Sequence, residues 1–436
     1  MHSLQQGTLN FNKSLSYDFN GGNLSSDSGL LLIRSFLEKM RLKPLIKEAC
    51  NDSVSRIHTF ASIVEQLIYT NIAGYHADDH SDALRGDPVF TRILGKDTLA
   101  SQPTISRCMN TMNPNNLKAL NELLLTTFIK GNPPHKTHEI ILDIDSTLFG
   151  TFGKQEGADF NYHYQSNGFH PLVLFNGTNG DLIKLELRPG KVYTSKNIGE
   201  FLEPVLKWFE ENYPHTQLIL RGDSGFGTPE LYNLCDAYGV EVLIRQKSYA
   251  TLKKHASSLM DEFIETYKDD FSKKHVMYGE FMYQASSWNF PMRIITRIER
   301  ATEELVPRAT FVMTTLAAAP DTIIRAYNKR GAMENFIKEG KIDFAMDKVS
   351  HSSFMANAIK SIIKALAYNI VNIMKRLIFV EEYNKSRLLS IRSLFIKVAC
   401  RIVTTARRTT FKLCSSYPFK KQFDQALKRI NQLSFK

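Results

Sequence analysis

Residues 140–147 read Ile140-Ile141-Leu142-Asp143-Ile144-Asp145-Ser146-Thr147. The apolar run has the length of a buried strand and ends in two acids. Carboxylates at positions i and i+2 of a strand point to the same face. Placing such a pair at the end of a buried strand is costly unless something neutralises it. A divalent cation would do so, because hard cations prefer carboxylate oxygens. Read alone, one of the two acids would serve equally well as the cap of the following turn.

A second strand of the same kind lies further on, in Leu218-Ile219-Leu220-Arg221-Gly222-Asp223-Ser224-Gly225-Phe226-Gly227. It too ends in an acid, here among glycines that permit sharp turning. Residues 138–145, 170–176, 182–187, 217–222 and 240–245 are apolar runs of strand length, with helical spacing over 197–212 and 229–238. Three close strands followed by helix, strand, helix, strand predict an α/β sheet that opens as a hairpin meander and continues by crossovers. In such sheets functional groups gather beyond the carboxyl ends of the strands, where both acid motifs fall. Asp223 on its own would also suit a turn cap.

The third signal is Tyr327, Arg330, Glu334 and Lys341. On one continuous helix over 317–345 these four fall within a stripe roughly 60° wide. A solvated Arg/Glu pair at i,i+4 is the plainer reading of that stripe.

The three motifs, in this order, resemble those of the Asp-Asp-Glu (DDE) transposases of bacterial insertion sequences. The spacing Tyr-x2-Arg-x3-Glu-x6-Lys matches the signature of the insertion sequence 4 superfamily. Residues 142–147, Gly168-Phe169-His170-Pro171, Leu187-Arg188-Pro189-Gly190 and residues 221–226 look like the insertion sequence 1380 family within it. The resemblance spans about residues 24–400. It implies an α/β fold with a ribonuclease-H-like catalytic core, a β-rich subdomain inserted between the second Asp and the Glu, and helical N- and C-terminal regions.

The same resemblance implies that Asp145, Asp223 and Glu334 are the catalytic acids, with Asp143 an alternative first acid and metal ligand. It implies two Mg2+ ions, with Mn2+ as a substitute, and phosphate contacts from Tyr327, Arg330 and Lys341. Two such ions activate an attacking oxygen and stabilise the leaving one. The expected partners are double-stranded DNA, at element ends and target, and a second copy of the chain. Trp288, in the expected insertion, suits stacking on an extruded base, or packing in a β-sheet.

The remainder of the chain is consistent with this. Five segments are expected: 1–130, mainly helical and DNA-binding; 131–247, the first part of the core; 248–316, the β-rich insertion; 317–345, the catalytic helix; and 346–436, helical and basic. In the first, residues 28–40 and 59–73 have helical spacing. Ser101 followed by Pro103 predicts a helix start. That helix carries Thr104, Ser106 and Arg107, and suits either the second helix of a helix-turn-helix or a plain structural helix. In the insertion, a polar helix over 250–270 precedes strands at 276–288, 292–299 and 310–315.

Charge is unevenly placed. The net is +11, yet residues 371–436 carry 15 Lys and Arg against 3 Asp and Glu. A basic tail containing Arg407 and Arg408 predicts nucleic-acid contact, or simply a solvated helical surface. The first 14 residues lack the apolar core of a signal peptide. The most apolar stretch, 362–380, is interrupted by Lys364, Asn369, Asn372, Lys375 and Arg376, which argues against a membrane span. Five scattered cysteines, with no zinc-ligand spacing, fit a reduced cytoplasmic protein.

Overall fold

Strand β1, Glu139–Ser146, is central to a sheet of eight strands in a computed structural model that describes residues 7–50, 57–268 and 270–435. The first six residues of the N-terminal stretch read above lie outside those described. The other strands are β2 (Leu172–Asn176), β3 (Leu182–Glu186), β4 (Gln217–Gly222), β5 (Glu241–Gln246), β6 (His275–Tyr283), β7 (Met292–Arg300) and β8 (Arg308–Thr314). The spatial order is β6-β7-β8-β5-β4-β1-β2-β3. β4 runs parallel to β1 and β5, and every other pairing is antiparallel.

The strands alternate between two buried faces. On one, Ile140, Leu142 and Ile144 of β1 join Leu220, Val242 and Ile244 under the helices α1 (Ile198–Asn212) and α2 (Pro229–Ala237), which contribute Phe201, Val205, Phe209 and Leu231. On the other, Ile219, Leu243, Ile295 and Val312 pack on Ile323, Ile324 and Tyr327 of α3 (Pro320–Asn328). Cover on both faces is why these strands read as nearly continuous apolar runs. Asp143 and Asp145 project to the α3 side, as the i,i+2 rule requires.

Two sequence expectations are modified in this unit, which spans residues 121–365. The strands of 248–316 do not form a sheet of their own. β8 pairs with β5, placing Leu243 opposite Thr314 and Ile244 opposite Met313, so the segment extends the central sheet. A free strand edge is a template for further pairing, and β5 would otherwise present one. The helix expected over 317–345 is divided into α3 and α4 (Gly331–Phe344). At the join, the N–H groups of Arg330, Ala332 and Met333 each bond three residues back, so one turn tightens before the helix resumes.

The second unit joins the described residues of 1–120 with those of 366–436. Helices Leu30–Lys39, Phe60–Ala73 and Gln102–Thr111 match the predicted helical segments, with Thr59 and Ser101 at the N-caps of the last two. The C-terminal region is not wholly helical. Strands β9 (Cys400–Thr404) and β10 (Thr409–Leu413) form a hairpin, and β9 also pairs with the short strand Leu24–Ser25. Residues 400–413 are rich in β-branched Ile, Val and Thr, which favour strands; the basic charge obscured that signal. Buried Asp27 takes the Lys397 ammonium at 2.6 Å. In the 121–365 unit, buried Lys364 of the apolar helix Phe354–Ile378 donates its ammonium to the carbonyls of Ala345 and Lys348. No described helix is long and apolar enough to cross a membrane.

Candidate active site

Asp145 lies near the carboxyl end of β1. Its Oδ1 accepts the Ser146 N–H at 2.9 Å, and its Oδ2 stands 2.9 Å from Arg330 Nη2. The ion pair is close but poorly aligned: Arg330 Nε and Nη2 make no well-directed hydrogen bond. Burial pushes the Asp145 carboxyl up to about 6, opposed by Arg330 and reinforced by the neighbouring charge of Asp223. Two like charges in one poorly solvated space have this effect.

Asp223 follows β4, the parallel neighbour of β1. Its Oδ1 caps the short turn Ser224–Phe226 by accepting the Gly225 N–H at 2.8 Å. The turn-cap reading is therefore correct for one oxygen, and Oδ2 makes no hydrogen bond among the described residues. A Cβ at Gly222 would lie 3.0 Å from the Ile144 side chain and 3.1 Å from that of Ile244, so the glycine suits the tight packing at the end of β4.

Asp143 is engaged differently. It sits opposite Arg221 in the β1/β4 register and is fully buried. Arg221 Nε donates to Oδ1 at 2.5 Å and Nη2 to Oδ2 at 2.6 Å, while Nη1 donates to the Ala326 carbonyl of α3. Burial raises the Asp143 carboxyl above its ordinary range, and the Arg221 hydrogen bonds draw it back. Gly177, whose Cβ would lie 2.4 Å from Asp143 Oδ2, lets the β2–β3 turn close over the pair.

The four stripe residues are distributed over the two helices. Tyr327 is buried on α3, and burial raises its phenol above the ordinary range. Arg330, at the start of α4, meets Asp145. Lys341, near the end of α4, donates from Nζ to the Leu148 carbonyl at 2.8 Å, just past β1, and feels the charge of Asp145. Glu334 is exposed in the first turn of α4. Among the described residues no three His, Cys, Asp or Glu side chains are grouped so as to hold a metal ion.

Trp288 packs edge-on against Tyr232 and Tyr283, at 5.4 and 5.5 Å between ring centres. Tyr232 in turn bonds Gln246 beside Gly227, so the tryptophan belongs to an aromatic cluster of the core. In the other unit, Arg107 is exposed on helix Gln102–Thr111 and bonds Thr104. The helix before it ends at Leu94, so residues 95–101 intervene, a longer connection than the three or four residues of a helix-turn-helix. Arg407 and Arg408 are exposed at the turn between β9 and β10.

Three residues escaped the sequence reading. Tyr164 donates to the Ser146 carbonyl at 3.2 Å, and its phenol is pushed up to about 12 by burial and by Asp145 and Asp223. Arg221 carries a legible signal, a cation inside a buried strand two residues before an acid. Arg188 stands in the stretch Leu187-Arg188-Pro189-Gly190 that carries the resemblance, but its role appears only in the loop it organises.

Residues 8–435 match the family described as transposase DDE domain, group 1. The chain belongs to that family. No curated protein matches the chain in sequence. Among solved structures it is similar to a piggyBac transposase synaptic complex with hairpin DNA, determined by cryo-EM. That likeness has 12% identity and a TM-score of 0.45, and covers 90% of this chain and 83% of that one.

Proposed function

We propose that the chain is a DDE transposase of the insertion sequence 1380 family, within the insertion sequence 4 superfamily, built on a ribonuclease-H-like core. The observation that carries this reading is the placing of Asp145 and Asp223 at the carboxyl ends of adjacent parallel strands, facing one guanidinium. The meander β1-β2-β3, followed by the crossover strands β4 and β5, supports the choice of core.

The donors fit a hard divalent cation. Both are carboxylates, they repel one another in a half-buried space, and Arg330 offers a single positive charge against them. Asp143 does not fit, because Arg221 occupies both its oxygens. Two Mg2+ ions, or Mn2+ in their place, held by Asp145, Asp223 and Glu334, would neutralise the phosphate and activate the attacking oxygen.

Glu334 is assigned as the third acid because of its neighbours on α4. It follows Arg330 by about one turn and shares a stripe with Lys341, and both of these reach the end of β1. Arg330 and Lys341 hold phosphate oxygens beside the acids, and Tyr327 fixes the helix that leads into α4. Hydrolysis at an element end leaves a 3′-hydroxyl, which attacks target DNA with the same residues in place. Joining two element ends calls for at least two copies of the chain.

Incubation with duplexes carrying the inverted repeats that flank its own reading frame, plus Mg2+, should give cuts at the repeat ends and joined products. Cuts without joining would make it a nuclease; binding without cuts would make it a DNA-binding protein with a silent site.

Two further outcomes are expected. Arg330→Ala should lower cleavage more than DNA binding, and Arg330→Lys should not restore it, because a point charge does not replace a planar fork of donors. Full activity of the Lys variant would reduce Arg330 to simple electrostatic attraction. Reversing Arg407 and Arg408 to Glu should weaken duplex binding and flatten its salt dependence, since each phosphate contact contributes about −0.9 to the slope of log affinity against log salt. The hairpin tip is exposed, so the variant should fold, as circular dichroism would show. An unchanged slope would remove both arginines from the DNA contact.

A further inference from the structure

The residues following Pro189-Gly190 form a loop, 191–197, that leads into α1. Arg188 lies beneath it and is 4% exposed. Its Nε donates to the His170 carbonyl at 3.0 Å. Its Nη1 reaches the carbonyls of Tyr193, Thr194 and Lys196 at 3.4, 3.1 and 3.0 Å. Nη2 has no partner. A buried guanidinium satisfied by carbonyl oxygens in this way fixes the peptide planes of the loop above it.

The C=O and N–H of a trans peptide point in opposite directions. With the carbonyls of Tyr193, Thr194 and Lys196 turned in to Arg188, the N–H groups of Thr194, Ser195 and Asn197 are turned out. No hydrogen bond engages these three donors among the described residues. Thr194 and Ser195 present successive outward N–H groups, of the kind that form a nest for an anion, and the Asn197 N–H lies beyond the Lys196 N–H, which is turned in to the Tyr193 carbonyl at 3.1 Å. Exposed Lys196 and Lys191 flank the nest, and Lys191 also stands 3.8 Å from the Asp159 carboxylate. The N-terminus of α1 is a separate matter, since the Gly199 N–H is already taken by Glu230 at 3.1 Å.

The loop borders the acid site. Thr194 Oγ1 meets Ser146 Oγ at 3.4 Å, one residue from Asp145. The Thr194 methyl lies against Gly225, 3.3 Å from where a Cβ would be, in the turn that Asp223 caps. The loop therefore borders the residues that follow Asp145 and Asp223.

We propose that loop 191–197 is a phosphate-binding nest for the DNA backbone, holding a phosphate beside the scissile one. This rests on the transposase reading and adds main-chain donors to it. The arginine sets their direction, the two lysines supply charge, and the contact reads no base.

The test uses the full chain and a fluorescein-labelled duplex of arbitrary sequence, with binding measured across a salt series. Lys196→Ala is expected to reduce the salt slope by about 0.9. Ser195→Asp, which puts a carboxylate in the nest, is expected to weaken binding roughly tenfold or more. Ser195→Ala is expected to bind as the wild type does, because the donor is the backbone N–H. Circular dichroism of each variant checks folding; the positions are surface turns. Folded Lys196→Ala and Ser195→Asp variants with wild-type affinity and slope would overturn the proposal. So would a loss in Ser195→Ala equal to that in Ser195→Asp. If the wild type binds no duplex at any salt, the transposase reading itself fails, which is a distinct result.

Discussion

Asp145→Asn and Asp223→Asn are each expected to abolish DNA cleavage, by on the order of 10⁴-fold, while duplex binding stays near wild type. Each amide keeps the volume and the capping oxygen and loses the negative charge. The Ser146 N–H would still find Oδ1 of residue 145, and the Gly225 N–H would still find Oδ1 of residue 223. The turns at the ends of β1 and β4 should therefore persist. What disappears is the charge that would hold a cation and that now faces Arg330. The measurement is cleavage of a labelled terminal repeat beside a binding titration of the same preparation. Wild-type cleavage by either variant would remove that residue from the acid set.

The second large effect is on stability. Asp143→Asn should destabilise the 121–365 unit by about 3–5 kcal/mol, because Arg221 is left as an uncompensated buried charge. Arg221→Met should do the same by stranding Asp143. The double variant Asp143→Leu/Arg221→Met should recover much of the loss, since apolar replacement of a whole buried pair is often neutral or better. The pair ties β1 to β4 and, through the Ala326 carbonyl, to α3, so its loss should also loosen the helix preceding Arg330. Thermal melts of the three variants decide it. An Asp143→Asn protein with the wild-type melting temperature but no cleavage would show that Asp143 is a metal ligand rather than an anchor.

That distinction was not legible in the sequence. Asp143 and Asp145 share one face of the strand, so its pattern offers both equally as ligands. Only the β1/β4 register sets Arg221 opposite Asp143 and leaves Asp145 one pleat further on, at the mouth of the sheet. Register between strands so far apart in sequence is a tertiary property. By contrast, the two strands and their terminal acids were readable, because an apolar run stopped by an acid is a local signal.

Other differences have equally physical causes. The stripe of Tyr327, Arg330, Glu334 and Lys341 presumes one unbroken helix, and residue spacing alone does not register a turn that tightens at Arg330. In residues 400–413 the basic charge masks an Ile, Val and Thr content that favours strands. Residues 248–316 carry two helices, Ala250–His255 and Ser257–Tyr267, ahead of the strands β6, β7 and β8. Their junction with β5 depended on an open sheet edge that no local pattern reports.

Glu334 is the acid on which the account depends most, since α4 carries it exposed rather than gathered with the other two. The most direct measurement is cleavage by Glu334→Cys of a terminal repeat in Mg2+ and in Mn2+. Mg2+ binds thiolate poorly, and Mn2+ accepts it more readily. If Glu334 is a metal ligand, the variant should be inactive in Mg2+ and partly restored in Mn2+, whereas Glu334→Gln should be restored less. Wild-type cleavage by Glu334→Cys in Mg2+ would contradict the assignment of Asp145, Asp223 and Glu334 as one metal-binding set.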